Sequence, residues 1–177
     1  MAEIRIEFRR ATGILSRAIE WVGQGGQGIS HCASLLADGR YVDARSDVLA
    51  GVPAGIRFRH PDTEPGVAVY RATLEVTYED YCEWSSNLMA KVTDDYDKDA
   101  ILGFLEGKSM HTVGRYVCSA LVINEVQHVS KLWTQPHLGF IPFPLWKPVH
   151  RIDPNEALSI IQTAGFTIDK LPITGEM

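Results

Sequence analysis

Two residues in this chain have the type and setting for nucleophilic chemistry. Cys118 stands in Tyr116-Val117-Cys118-Ser119, directly ahead of the apolar run Ala120-Leu121-Val122-Ile123-Asn124-Glu125-Val126. That spacing puts a thiol in the first turn of a helix, where unpaired N–H groups and about half a positive charge favour thiolate over thiol. His31 lies far upstream, in the strand-like segment Ile29-Ser30-His31-Cys32-Ala33-Ser34-Leu35-Leu36. Cysteine hydrolysis needs a thiolate, a general base, a group that orients the base and donors for an oxyanion. Cys118 supplies the first, His31 the second, and the helix amides near Cys118 and Ser119 the last. Each residue also has a plainer reading. Cys118 is then a small buried hydrophobe, and His31 a core histidine bonded to a backbone carbonyl.

Strand alternation puts Ile29, His31, Ala33 and Leu35 on one face and Ser30, Cys32 and Ser34 on the other. The catalytic reading expects the Cys118 helix to cover the His31 face. The orienting group is Asp43, and the turn at Asp38-Gly39 decides its direction. A two-residue loop pairs Ser34 with Asp43 and turns the carboxylate away from His31. A three-residue loop, Ala37-Asp38-Gly39 with Gly39 left-handed, pairs Ala33 with Asp43 and makes Asp43 the diagonal neighbour of His31. The three-residue loop is the expectation.

The other candidates are weaker. Cys32 adjoins His31 in sequence but points to the opposite face, as a structural residue. Cys82 belongs to the core or its boundary. Tyr116 either offers its hydroxyl near the oxyanion or packs, with packing favoured. His111 is the runner-up base, and His60, His128, His137 and His150 show no partner pattern. No Cys–His pair has metal-ligand spacing, and the cysteine route calls for neither metal nor organic cofactor.

The elements that must position these groups follow from periodicity and caps. Ile4 to Phe8 alternates as a strand, and Ile14, Leu15, Ala18, Ile19 and Val22 fall at helical spacing after Thr12. The stretch Gly23-Gln24-Gly25-Gly26-Gln27-Gly28 is a loop turning into the His31 strand. It is no dinucleotide fingerprint, since no strand precedes it and no helix follows. Strands are expected at Ile29–Leu36, Arg40–Ala44 and Val67–Ala72. Thr77 starts a helix with an acidic first turn that runs to about Val92, and a shorter helix spans about Lys98–Glu106. The Cys118 helix runs to about Val129. Asp153-Pro154-Asn155-Glu156 is a helix start with N-cap Asp, Pro at N1 and Glu at N3, ending before Gly165. Three prolines keep Phe140–Pro148 out of regular structure. Phe140, Phe143 and Trp146 there form either an apolar wall of a substrate groove or a tail over the core.

The bulk numbers frame one α+β domain over residues 1–177, a small antiparallel sheet packed against helices. The chain is 45% hydrophobic and 22% charged, ordinary for a globular protein. Its net charge, 17 basic against 22 acidic residues or −5, argues against a nucleic-acid footprint. Arg5, Arg9 and Arg10, and Arg57 with Arg59, read as solvated strand edges. Three cysteines without CxxC spacing make no disulfide framework. Neither an apolar leader nor a run of 18 apolar residues is present, so the expected location is cytoplasmic, with no membrane span, or outside the cell after release by lysis or a partner. Oligomeric state is not encoded in any visible pattern.

Taken together, Ser30-His31 at a strand start, Asp38-Gly39, Tyr41-Val42-Asp43-Ala44, Tyr96-Asp97 and Tyr116-Val117-Cys118-Ser119-Ala120-Leu121-Val122 resemble the circularly permuted NlpC-type, papain-like cysteine amidases. The YaeF/YiiX-like group is the most similar. The histidine strand there precedes the cysteine helix, and the likeness spans about Ile29 to Glu125. The resemblance implies Cys118 as nucleophile, His31 as base and Asp43 at a position where the group usually carries glutamate. Tyr96-Asp97 matches a scaffold pair. The implied substrate is an amide in a cell-wall peptide or an N-acylated, lipid-like molecule. The same dyad could instead serve an acyltransferase or thioesterase, for which Phe140–Trp146 is the hint. A non-catalytic binding module on the same fold is the rival from another class.

Overall fold

A computed structural model of the chain describes residues 1–10, 28–47, 49, 51–64, 66–100, 112, 114–129 and 148–172. The sequence-expected helix over Ile14–Val22, most of the glycine loop, the body of the helix after Lys98, His111, His137 and the Phe140–Lys147 segment lie outside the described residues.

Eight strands, three α-helices and two single-turn 3-10 helices (Pro61–Thr63 and Val149–Arg151) make up the described chain: β1 (Ala2–Arg10), β2 (His31–Leu35), β3 (Tyr41–Arg45), β4 (Gly55–Arg59), β5 (Val67–Val76), α1 (Tyr78–Ala90), β6 (Asp95–Tyr96), β7 (Arg115–Tyr116), α2 (Cys118–Gln127), α3 (Pro154–Thr163) and β8 (Thr167–Lys170). Six strands form one antiparallel sheet in the order β4-β3-β2-β1-β5-β8. β6 and β7 form a separate two-residue parallel pair just before α2. The fold is α+β, as the alternating and helical periodicities implied. No described helix is long and apolar enough to cross a membrane.

Alternation along β1 explains the layering. Ile4, Ile6 and Phe8 are fully buried and pack with Cys32, Leu36, Val42, Ala44 and Ile56 from neighbouring strands. α2 lies on this face, contributing Leu121, Val122, Ile123 and Val126 to the same cluster. Its apolar residues run round the whole helix, the pattern of a helix enclosed by the core. Each fully buried aliphatic or aromatic side chain here stabilises the fold by about 1.5–3 kcal/mol. α3 covers the cluster with Ala157, Leu158, Ile160 and Ile161, and α1 with Trp84 and Leu88.

The opposite face of the sheet carries charge. Glu7 and Arg9 of β1 are buried there beside Tyr41, whose hydroxyl donates to Glu7. Arg9 donates to Tyr41 at 3.0 Å and to the Gly66 carbonyl at 3.2 Å. Arg59 is only 3% exposed. The expectation of solvated arginines is therefore corrected for Arg9 and Arg59: Glu7 on the same strand, Asp43 on the neighbouring one, and loop carbonyls replace the water they give up.

The helix caps are those the sequence announces. Thr77 accepts from the Asp80 amide at the start of α1. Asp153 accepts from the amides of Asn155 and Glu156, and Glu156 answers the Asp153 amide, completing a capping box at α3.

Candidate active site

The turn between β2 and β3 sets the site. The Leu36 amide donates to the Arg40 carbonyl and the Gly39 amide to the Leu36 carbonyl, closing a three-residue loop over Ala37-Asp38-Gly39. Gly39 has φ +85°, the left-handed geometry such a loop asks of glycine. Ser34 then pairs with Val42 and Leu35 with Tyr41. Continued by one residue, that register sets Ala33 opposite Asp43 and turns the carboxylate to the His31 face. Asp43 Oδ1 lies 2.7 Å from His31 Nε2. The oxygen sits off the ring N–H direction, so the contact is a close ion pair rather than a linear hydrogen bond. With Nε2 engaged by Asp43, Nδ1 is the nitrogen left for the cysteine.

Cys118 is the first residue of α2, and its N-cap, Val117, makes no side-chain cap. The thiol is 5% exposed and interacts with two residues of β2, His31 and Cys32. Its pKa is held well below the ordinary thiol value. The hydrogen bond from the Cys32 side chain contributes most, and the charge and hydrogen bond of His31 add to it against the opposing effect of burial. Burial would push His31 down, yet the negative charges of Asp43 and Cys118 hold it well above its usual value. Cys32 moves the other way: burial, then the contact with Cys118, push its thiol up and keep it a donor. Asp43 stays ionised despite complete burial, because His31, Arg45 and Arg59 outweigh desolvation. The electrostatics of this arrangement favour a thiolate–imidazolium pair backed by a carboxylate over thiol and neutral imidazole.

Two expectations change at this point. The helix covers the Cys32, Leu36, Val42 and Ala44 face of the sheet, not the His31 face. Ala33, Leu35 and Tyr41 form a separate small cluster on the far side. His31 is the first residue of its strand, and its imidazole still interacts with Cys118. Cys32 is accordingly no bystander, for it is the residue beneath the sulfur. Alternation had assigned it to the other face correctly, but the helix turned out to lie on that face.

The chain holds both partners in place through one corner. The Asn155 side chain, 2% exposed at the start of α3, accepts from the Ile29 amide at 3.3 Å and donates to the Ile29 carbonyl at 3.2 Å. Ser119 Oγ donates to the Ile152 carbonyl at 2.5 Å. The segment leading into α3 thus docks the strand two residues before His31 and the helix one residue after Cys118. Ser119's hydroxyl is occupied in that role, which leaves its backbone amide for an oxyanion. Tyr116 is half-buried against the core, with Lys91 Nζ 5.5 Å from its ring centre, in keeping with packing. Asp97 accepts from the Ala100 amide at 3.0 Å and the Thr112 amide at 3.1 Å, a scaffold role. Tyr96 was read with Asp97 as scaffold, yet its buried phenol also feels Cys118 and Asp43. Burial first, then those charges, push its pKa well up and keep the hydroxyl protonated.

Three further residues reach the site without any motif to announce them. Arg59 Nε lies 3.4 Å from Asp43 Oδ2, and Arg45 Nη1 donates to Glu64 Oε2 at 2.9 Å. Period-2 alternation in Gly55-Ile56-Arg57-Phe58-Arg59 was the available signal for Arg59. His31, Asp43 and Glu64 each bring one ligating atom within 4.8 Å of the others. As a donor set for a divalent metal it is poor, because Arg45 and Arg59 already neutralise the two carboxylates and repel a dication.

Compared with models of protein families the chain matches none, and no curated protein sequence matches it.

Proposed function

We propose that the chain is a cysteine amidase or peptidase with a permuted papain-like arrangement. His31 takes the Cys118 proton, so the nucleophile rests as a thiolate. The sulfur attacks an amide carbonyl, and the oxyanion is held by first-turn amides of α2, uncapped by Val117. His31 returns its proton to the departing amine, and a water activated by His31 then hydrolyses the thioester. Asp43 fixes the imidazole orientation and compensates its positive charge, the role of the third member of such triads.

The observation that carries the reading is the contact chain Asp43–His31–Cys118. A thiol of depressed pKa and a histidine of raised pKa meet at a helix start, with a buried carboxylate 2.7 Å behind the ring. A purely structural core has no use for such a costly cluster. The substrate class suggested by the sequence resemblance is an amide of a cell-wall peptide or of an N-acylated molecule.

The test is to trap the acyl-enzyme. Incubation with peptide and N-acyl amides, rapid acid quench and mass spectrometry are expected to find an acyl adduct on Cys118 that decays in water. Transfer to an added amine or alcohol faster than to water makes the chain an acyltransferase. No adduct with any amide, ester or thioester overturns the enzyme reading in favour of a binding module.

A further inference from the structure

Buried beside Asp43 is a carboxylate the proposed mechanism does not use. The Glu64 side chain is fully buried, on the loop after β4. Its Oε2 accepts from Arg45, and its Oε1 makes no hydrogen bond among the described residues. It approaches both His31 and Asp43 within 4.8 Å. Arg59 is fixed from behind, donating to the carbonyls of Val52 at 3.4 Å and Pro53 at 2.9 Å. Continuing the β2–β3 register sets Arg45 opposite His31, where Asp47 is its second anion at 2.9 Å.

We propose that Glu64, acting through Arg45, is a positioning residue that holds Asp43 on His31 and sets the basicity of that histidine. The inference rests on the catalytic reading of the Cys118–His31 pair. The charges show why Glu64 is needed. Burial, then the neighbouring Asp43 charge, push the Glu64 pKa up, against the pull of His31 and Arg45. With Glu64 ionised, Cys118, Asp43 and Glu64 contribute three negative charges, and His31, Arg45 and Arg59 three positive ones. Remove Glu64 and the half-buried Arg45 guanidinium keeps only the exposed Asp47, and the pull it exerts on Asp43 is less opposed. The carboxylate is then drawn toward arginine and away from the ring, and the local surplus of positive charge opposes the imidazolium. Both effects lower the affinity of His31 for its proton. The remaining groups around the site do not replace Glu64: Cys32 and Tyr96 are held neutral, Asp47 is mostly exposed, and Asp153 is engaged in its helix cap.

Charge sign gives the test. The His31 imidazole is titrated by NMR, and Cys118 alkylation by iodoacetamide is followed against pH, in wild type, Glu64→Gln, Glu64→Asp and Arg45→Gln. Glu64→Gln is expected to lower the His31 NMR midpoint by about one pH unit or more, a tenfold loss of basicity. Arg45→Gln is expected to move that midpoint upward, and Glu64→Asp to restore most of the wild-type value. A merely structural role gives no such opposed shifts. Should Glu64→Gln not fold by circular dichroism, the half-buried Arg45→Gln variant decides the matter by its direction. A midpoint in Glu64→Gln within about 0.2 units of wild type, or shifts of equal sign in both variants, overturns the proposal. Alkylation indifferent to His31→Ala defeats the catalytic reading instead, while the NMR midpoint still reports on Glu64.

Discussion

Asparagine at position 43 keeps the shape of the orienting side chain and removes its charge. Asp43 is wholly buried and 2.7 Å from the ring nitrogen. Coulomb's law at an effective dielectric near 20 gives about 6 kcal/mol for such a pair, an upper figure since the amide oxygen keeps part of the attraction. A third of it, about 2 kcal/mol, is already about 1.5 pH units. Arg59, left 3.4 Å away without its carboxylate, adds repulsion in the same direction. Burial then acts on His31 with little to oppose it, so its pKa is expected to fall below the unperturbed value near 6.5. In wild type the raised His31 pKa contributes stability that is complete below about pH 6.5 and lost as pH rises through the higher folded value. Asp43→Asn is expected to abolish that contribution. The assay is iodoacetamide alkylation of Cys118 from pH 4 to 10, with thermal unfolding of each protein as control. The variant is expected to lose at least about tenfold in rate at pH 7.5, because the imidazolium that holds the thiolate is no longer formed there. A folded variant with a wild-type profile refutes the claim that Asp43 holds the imidazolium.

Cys32→Ala removes the thiol that contributes most to the low pKa of Cys118, and the acid limb of the same profile is expected to rise by about one unit. An unmoved limb would assign the depression to His31 alone. Asp153→Ala deletes the side-chain half of the α3 capping box, the acceptor for the Asn155 and Glu156 amides, and is expected to cost about 0.5–2 kcal/mol in urea unfolding. Because Asn155 hangs from that turn, the variant should also slow Cys118 alkylation, and intact reactivity would show that α3 does not steady the site. Lys91→Ala strands the fully buried Glu125 with which Lys91 is paired, and is expected to destabilise the fold by about 3–5 kcal/mol. A loss under about 1 kcal/mol would mean that Glu125 is protonated or hydrated.

The local parts of the site were legible because local rules govern them. Gly39 can take the left-handed conformation that a three-residue loop demands, and the loop alone decides which way Asp43 faces. Asp153, Pro154 and Glu156 spell a helix start with no help from the rest of the chain. The Cys118 helix announces itself by an unbroken apolar run. What stayed hidden depends on tertiary placement. Nothing in the alternation of β2 says which face a distant helix will cover, so Cys32 was assigned to the correct side of the strand and the wrong role. Arg9 and Arg59 look like solvent residues until Glu7 and Asp43 arrive beside them. Glu64 comes from a turn with no periodicity, and its partner Arg45 lies nineteen residues earlier. Asn155 reaches back across 126 residues to the backbone of Ile29, a span no motif encodes.

The central claim is that Cys118 is a thiolate because His31 is beside it. Its most direct measurement is the rate of Cys118 alkylation against pH in wild type and His31→Ala, with the modified residue identified by peptide mass. Wild type is expected to react as a thiol of pKa well below about 8.5, the rate rising with thiolate formation and then levelling off. In His31→Ala the midpoint of that rise is expected to move up by at least about two units. Identical profiles in the two proteins, or an ordinary thiol pKa in wild type, would contradict the account.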